Sequence, residues 1–113
     1  MRRGQIWFYS GDPSVGDEIG KTRPCVIVSN NDIGVLRLKV VVPITGWNDV
    51  FDQVPWMVTI EPTLENGLSK KSVADTFQVR SVSQKRLISQ VGTLSDQIMQ
   101  EISDALAIVL SLN

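Results

Sequence analysis

Arg3-Gly4-Gln5-Ile6-Trp7-Phe8, the run Asp12-Pro13-Ser14-Val15-Gly16-Asp17-Glu18-Ile19-Gly20-Lys21-Thr22, and Arg23-Pro24-Cys25-Val26-Ile27-Val28-Ser29 are the residues from which the fold reads outward. Gln5 to Tyr9 is rich in aromatic and β-branched residues and predicts a first strand. Ser10 to Thr22 predicts a loop too long for a simple hairpin, and loops of that kind tend to carry function. Its glycines and proline let the backbone approach a ligand closely. Pro24 to Ser29 predicts a second strand, almost continuously apolar and therefore central. Arg23 is displayed just before it, a good place for a cation that must meet a phosphate.

Asn30 to Gly34 reads as a turn and Leu36 to Ile44 as a third strand. Thr45 to Val54 is a polar loop holding Gly46 and Trp47. Trp56 to Ile60 is a fourth strand, Glu61 to Lys71 a turn-rich connection with Asn66-Gly67, and Ser72 to Val79 a fifth strand. The period then changes. Ser81 to Ile88 fits one or two helical turns, with Ser81 and Gln84 at capping-box spacing. Val91 to Leu94 suits a brief return to extended chain. Ser95 to Leu112 predicts a helix, with Ser95 as N-cap and Ile98, Ile102, Ala105, Leu106 and Val109 on one face. Antiparallel strands followed by a closing helix imply a mainly β fold, a small, strongly curved sheet or partial barrel.

A chain of 113 residues has room for one modest core, so residues 1–113 are expected to form a single domain. No apolar run approaches the ~20 residues of a membrane helix. The basic start Met1-Arg2-Arg3 is followed by no apolar signal segment, which argues against export. Cys25 is the single cysteine. It fits a reducing cytoplasm, and in an apolar strand it reads as a buried small hydrophobe. There is no histidine, which removes the usual general base and the commonest metal ligand. With one cysteine and no histidine a structural zinc site is excluded, and no clustered acidic pair suggests magnesium. A net charge of -1 argues against a generic nucleic-acid coat protein. It leaves room for an enzyme that holds a few nucleotides in a local basic groove.

Arg23 and Thr45 are the leading candidates for chemistry. A guanidinium contacts two phosphate oxygens at once and stabilises charge building on a phosphorane. Arg23 also has a plainer reading, a surface arginine paired to Asp17 or Glu18. Thr45 follows Val40-Val41-Val42-Pro43-Ile44 and either caps its own loop or faces a cleft shared with Arg23. If the second and third strands pair antiparallel, the start of one meets the end of the next, which brings the two residues to one sheet edge. Trp47 either stacks a base or packs over that edge. Trp7 and Trp56 read as core. Lys21, Lys70, Lys71 and Arg80 either add a positive patch or are simply solvated, and Gln78, a polar residue inside the fifth strand, either faces solvent or bonds within a cleft.

The string Arg3-Gly4-Gln5-Ile6-Trp7, then Gly20-Lys21-Thr22-Arg23-Pro24, then Val42-Pro43-Ile44-Thr45 resembles the signatures of the MazF/PemK family of toxin endoribonucleases. Glu65-Asn66-Gly67-Leu68, Ser72-Val73, Gln78-Val79-Arg80 and Lys85-Arg86-Leu87 continue the family's order, so the resemblance covers nearly the whole chain. It implies a small SH3-like β-barrel with short α-helices, closed by a C-terminal helix and assembled as a homodimer. It implies a metal-independent, cofactor-free, sequence-selective endoribonuclease acting on single-stranded RNA, often mRNA, and neutralised by a cognate antitoxin. The catalytic arginine falls on Arg23 and the catalytic threonine on Thr45. Glu18, Lys21 and Thr22 become RNA-binding candidates, with Trp47, Gln78 and Arg3. Phe77 stands where family members often carry an acidic residue before the glutamine, which bears on the cleavage sequence. The alternative of the same barrel class is a gyrase poison that cleaves nothing. Such toxins depend on a C-terminal aromatic tip, whereas this chain ends Leu110-Ser111-Leu112-Asn113. A third reading is an interaction module that docks through its last helix.

Overall fold

The computed structural model describes residues 1–11, 22–34 and 36–112. The expectations placed on Asp12 to Lys21, among them Glu18 and Lys21, lie outside the described residues. Among the described residues seven strands make one antiparallel sheet: β1 (Gln5–Ser10), β2 (Thr22–Ile27), β3 (Leu38–Gly46), β4 (Met57–Ile60), β5 (Ser72–Asp75), β6 (Arg80–Ser83) and β7 (Leu87–Thr93). A single long helix, α1 (Asp96–Leu110), follows. The order across the sheet is β4-β5-β3-β2-β1-β7, with β6 also on β3.

β3 organises the sheet because it has partners along both edges. On one edge it pairs with β2 from Cys25↔Pro43 to Ile27↔Val41. On the other it pairs first with β6 and then with β5, which lie end to end. A single 3-10 turn, Thr76–Gln78, separates those two strands. The expected fifth strand Ser72 to Val79 is thus broken. Asp75 breaks it by turning its carboxylate back onto the Phe77 amide at 3.1 Å, a local bond that competes with the ladder. Gln78 accordingly sits on the turn and not inside a strand. The expected helical turns at Ser81 to Ile88 also need correction. β6 and the start of β7 occupy most of that span, and only Gln84–Arg86 coils, capped by Ser83 and not by Ser81.

Strand alternation sends side chains to two apolar layers. Ile6, Val26, Val42, Ile44, Ile60 and Ala74 pack with Met99, Ile102 and Ala105 of α1. Tyr9, Cys25, Ile27, Val41, Val82 and Leu87 form the second layer on the opposite face. Burial on both sides explains why β2 and β3 read as continuous apolar runs. On α1, Ser95 Oγ accepts the Ile98 amide at 3.2 Å, the expected N-cap. The stripe is rotated from its expected position, since Met99 is buried and Ile98 only partly so. Trp7 and Trp56 are half-buried and not core. Trp7 packs against the second layer, and Trp56 meets the exposed Phe77 edge-on with centroids 5.7 Å apart.

β4 and β7 end the sheet order and do not pair with each other. The connection 61–71 spans the gap and makes the sheet barrel-like. Glu65 accepts the Thr93 amide at 2.8 Å, so the loop adds one bond to the free edge of β7. Asn66 is buried and holds the loop's shape. Its carboxamide oxygen accepts the amides of Thr63 and Leu68, each at 3.0 Å, and its nitrogen donates to Glu61 at 2.8 Å. Gly67 and Gly92 let the two backbones touch. A Cβ on Gly67 would overlap the Val91 carbonyl, and one on Gly92 would overlap the backbone of Asn66 and Glu65. Gly67 also has φ +67, which suits glycine on its own account.

Cys25 lies between β1 and β3 and is fully buried. Burial pushes its thiol from 9.0 up to about 12, against a smaller lowering from the Trp7 backbone. The folded protein should therefore resist a thiol-specific disulfide reagent at pH 8 and react fully once unfolded, read as released chromophore. Rapid reaction of the folded protein would contradict the burial. Above pH 9.0 the unfolded thiol ionises while the buried one holds its proton, so this group makes stability fall as pH rises from 9.0 towards about 12.

Candidate active site

Arg23 and Thr45 both lie within strands, inside the elements they were expected to flank. Arg23 pairs with Tyr9 across β1 and β2, and Thr45 pairs with Val73 across β3 and β5. The β2–β3 ladder stops at Cys25↔Pro43. Beyond that pair the start of β2 stays with β1, while the end of β3 stays with β5. The Val28 amide donates to the Val40 carbonyl, so the alternate residue Pro24 faces β3, and its missing amide hydrogen costs the ladder a donor where it stops. The two strand pairs separate there, and a cleft of about 250 Å³ opens between them.

Thr22, Arg23, Thr45, Lys70 and Ser72 contribute polar groups to this cleft, and Phe8, Pro24, Ile44 and Leu68 its apolar wall. Arg23 and Thr45 line the same cleft, which lies where the interior strands β2 and β3 part and not at an edge of the sheet. Arg23 is half-buried, and its Nε is buried with no hydrogen-bond partner among the described residues. A buried, unpaired donor on a permanent cation costs stability, on the order of 1–3 kcal/mol. Such a group is held ready for an anion from outside. Ser72 Oγ donates to the Lys70 carbonyl at 2.9 Å and shapes the wall. Ser72 is a residue of the cleft that sequence reasoning passed over, and Lys70 reads in the sequence only as one of four cations open to a positive patch. Only the Gly46↔Ser72 register brings them beside Thr45.

The other candidates lie elsewhere. Trp47 does not line the cleft. Its amide donates to the Lys71 carbonyl at 3.1 Å, and the Lys71 ammonium stands 3.9 Å from its ring centroid. Lys71 also lies 3.8 Å from Glu61, so one face of Trp47 is covered by a cation–π pair held by an acid. Gln78 Nε2 donates to Asp75 Oδ2 at 3.0 Å, and Gln78 does not line the cleft. An acidic group therefore stands beside Gln78 even though Phe77 replaces the expected one. Arg3 is at the far end of β1. Its guanidinium donates to the Val28 carbonyl and, at 2.8 Å, to Ser103 Oγ, tying β2 to α1. Among the described residues no three of Cys, Asp and Glu come together as metal ligands would. No helix among them is long and apolar enough to cross a membrane.

A family model described as PemK-like, MazF-like toxin of type II toxin-antitoxin system matches residues 2–110. The chain belongs to this toxin family. Endoribonuclease MazF9 of Mycobacterium tuberculosis is 31% identical over 118 residues, covering 99% of this chain and 98% of that protein. Among solved structures, MazF from Deinococcus radiodurans superposes with a TM-score of 0.81 at 24% identity, over 98% of this chain and 96% of that one. An endoribonuclease in complex with its cognate antitoxin, from Mycobacterial species, gives 0.77 at 24% identity over 100% and 97%. Those likenesses show that this MazF-like toxin has the MazF fold, a mainly β barrel-like sheet with a C-terminal helix.

Proposed function

We propose that this toxin is a sequence-selective, metal-independent endoribonuclease for single-stranded RNA, formed as a single domain over residues 1–113. The observation that carries the reading is the cleft that half-buried Arg23, its Nε without a partner among the described residues, shares with Thr45. The substrate supplies the nucleophile. The ribose 2′-hydroxyl attacks the adjacent phosphorus, the P–O5′ bond breaks, and the products end in a 2′,3′-cyclic phosphate and a 5′-hydroxyl. A chain without histidine suits that chemistry, because no side chain has to act as nucleophile. Arg23 stabilises the extra negative charge on the phosphorane, and Thr45 orients the phosphate or the 2′-hydroxyl. Thr22, exposed at the cleft mouth, contacts the RNA alongside Glu18 and Lys21.

The protein acts in the cytoplasm as a homodimer restrained by a cognate antitoxin. Support for the antitoxin comes from the relative solved in complex with one. Exposed Ile108, Leu110 and Leu112 near the end of α1 give apolar surface for association.

The test is incubation of purified protein with a long single-stranded RNA in EDTA. Discrete cuts with cyclic-phosphate ends are expected. A folded protein that leaves the RNA intact but poisons gyrase in a supercoiling assay would replace this reading with the non-catalytic one.

A further inference from the structure

Lys70 is the second cation of the cleft, and its placement sets it apart from the other lysines. Its side chain lies across the bare backbone of Gly46, the residue after Thr45. A Cβ built on Gly46 would stand 3.2 Å from Lys70 Nζ and 3.4 Å from Cε. Any larger residue at 46 would push the ammonium away from the end of β3. The backbone under Lys70 is fixed twice, by Ser72 Oγ on its carbonyl and by the Gly46↔Ser72 pair that follows. Its neighbour Lys71 is occupied by Glu61 and Trp47. Lys70 has no acidic partner among the described residues.

We propose that Lys70 is a phosphate-binding residue of this cleft, gripping the RNA backbone from the β5 wall while Arg23 faces it from the β2 wall. The inference rests on the endoribonuclease reading and assigns a role within it. The two cations divide the work. A phosphodiester is already anionic in the ground state, so an ammonium that contacts it binds substrate and transition state alike and acts on KM. Arg23, with a fork that meets two oxygens, follows the charge that develops as the phosphorane forms and acts on kcat.

The experiment uses the full chain and an RNA that the wild-type protein cuts, together with the same sequence fully 2′-O-methylated, which binds without supplying a nucleophile. Lys70→Ala should weaken binding of the methylated RNA about tenfold and reduce the slope of log affinity against log salt by about one. Its cleavage should show a raised KM with kcat changed less than threefold, and Lys70→Arg should restore both. Lys85→Ala, which removes an exposed lysine outside the cleft, controls for net charge. Unchanged binding and slope in Lys70→Ala would overturn the proposal, as would an equal loss in Lys85→Ala. A wild-type protein that neither binds nor cuts the RNA would instead overturn the endoribonuclease reading on which the proposal stands.

Discussion

Arg23→Ala lowers the rate of RNA cleavage by about 10²–10³-fold while the protein stays folded, the loss expected when one preorganised charge-stabilising group is removed. The fall lies in kcat, because the lost contact is strongest in the transition state. Stability should not fall with it. Arg23 Nε is buried without a partner among the described residues, so truncation removes a desolvated donor and strands no acceptor. The melting temperature of Arg23→Ala should equal or exceed that of the wild type. Arg23→Lys keeps the charge and loses the fork, so it should recover only part of the rate. Thr45→Ala should also lose more than about tenfold, the scale of one orienting contact. Single-turnover cleavage and thermal melting of the three variants decide the matter. Wild-type rates in Arg23→Ala would remove Arg23 from the site, and a variant that unfolds would make the arginine structural.

Gly92→Ala has the largest expected effect on the fold, although it touches no residue of the proposed chemistry. Its Cβ would run into the backbone of Asn66 and Glu65, and backbone gives way less readily than the end of a side chain. The loop must then lift from β7, breaking the Glu65–Thr93 bond and disturbing the Asn66 network. Overpacking of this kind costs about 3 kcal/mol. For a domain of this size that is a fall in melting temperature on the order of 10 °C or more. The same loop carries Gly67, Leu68, Ser69 and Lys70 into the cleft wall. Gly92→Ala should therefore weaken RNA binding even at a temperature where it remains folded. A variant with wild-type melting and wild-type affinity would show that the loop does not close the sheet as described.

Several features were legible because they depend on neighbours in the chain. The runs in β1, β2 and β3, the N-cap at Ser95 and the helix after it follow from alternation, periodicity and capping. The burial of Cys25 followed from its place in an apolar run. Boundaries were less secure where a short side chain could bond its own backbone. Asp75 and Ser83 each turn a carboxylate or hydroxyl onto an amide two residues on; Asp75 thereby ends a strand that composition alone would continue, and Ser83 ends a strand where the sequence pattern suggests helical turns.

By itself, the sequence determined the mainly β class, the closing helix and the family signatures, and it singled out Arg23 and Thr45 as the candidate pair. All of these reside in residue types and short spacings along the chain. The tertiary structure alone decided where the cleft opens and what else lines it. Register is set by cross-strand pairing over long chain separations, so Pro24 marks a missing donor in the sequence but only the pairing shows that β2 parts from β3 beyond Cys25↔Pro43. The same holds for Lys70. In sequence it is one of two adjacent lysines, and it differs from Lys71 only because the Gly46↔Ser72 pair lays it beside Thr45 while Trp47 and Glu61 take its neighbour.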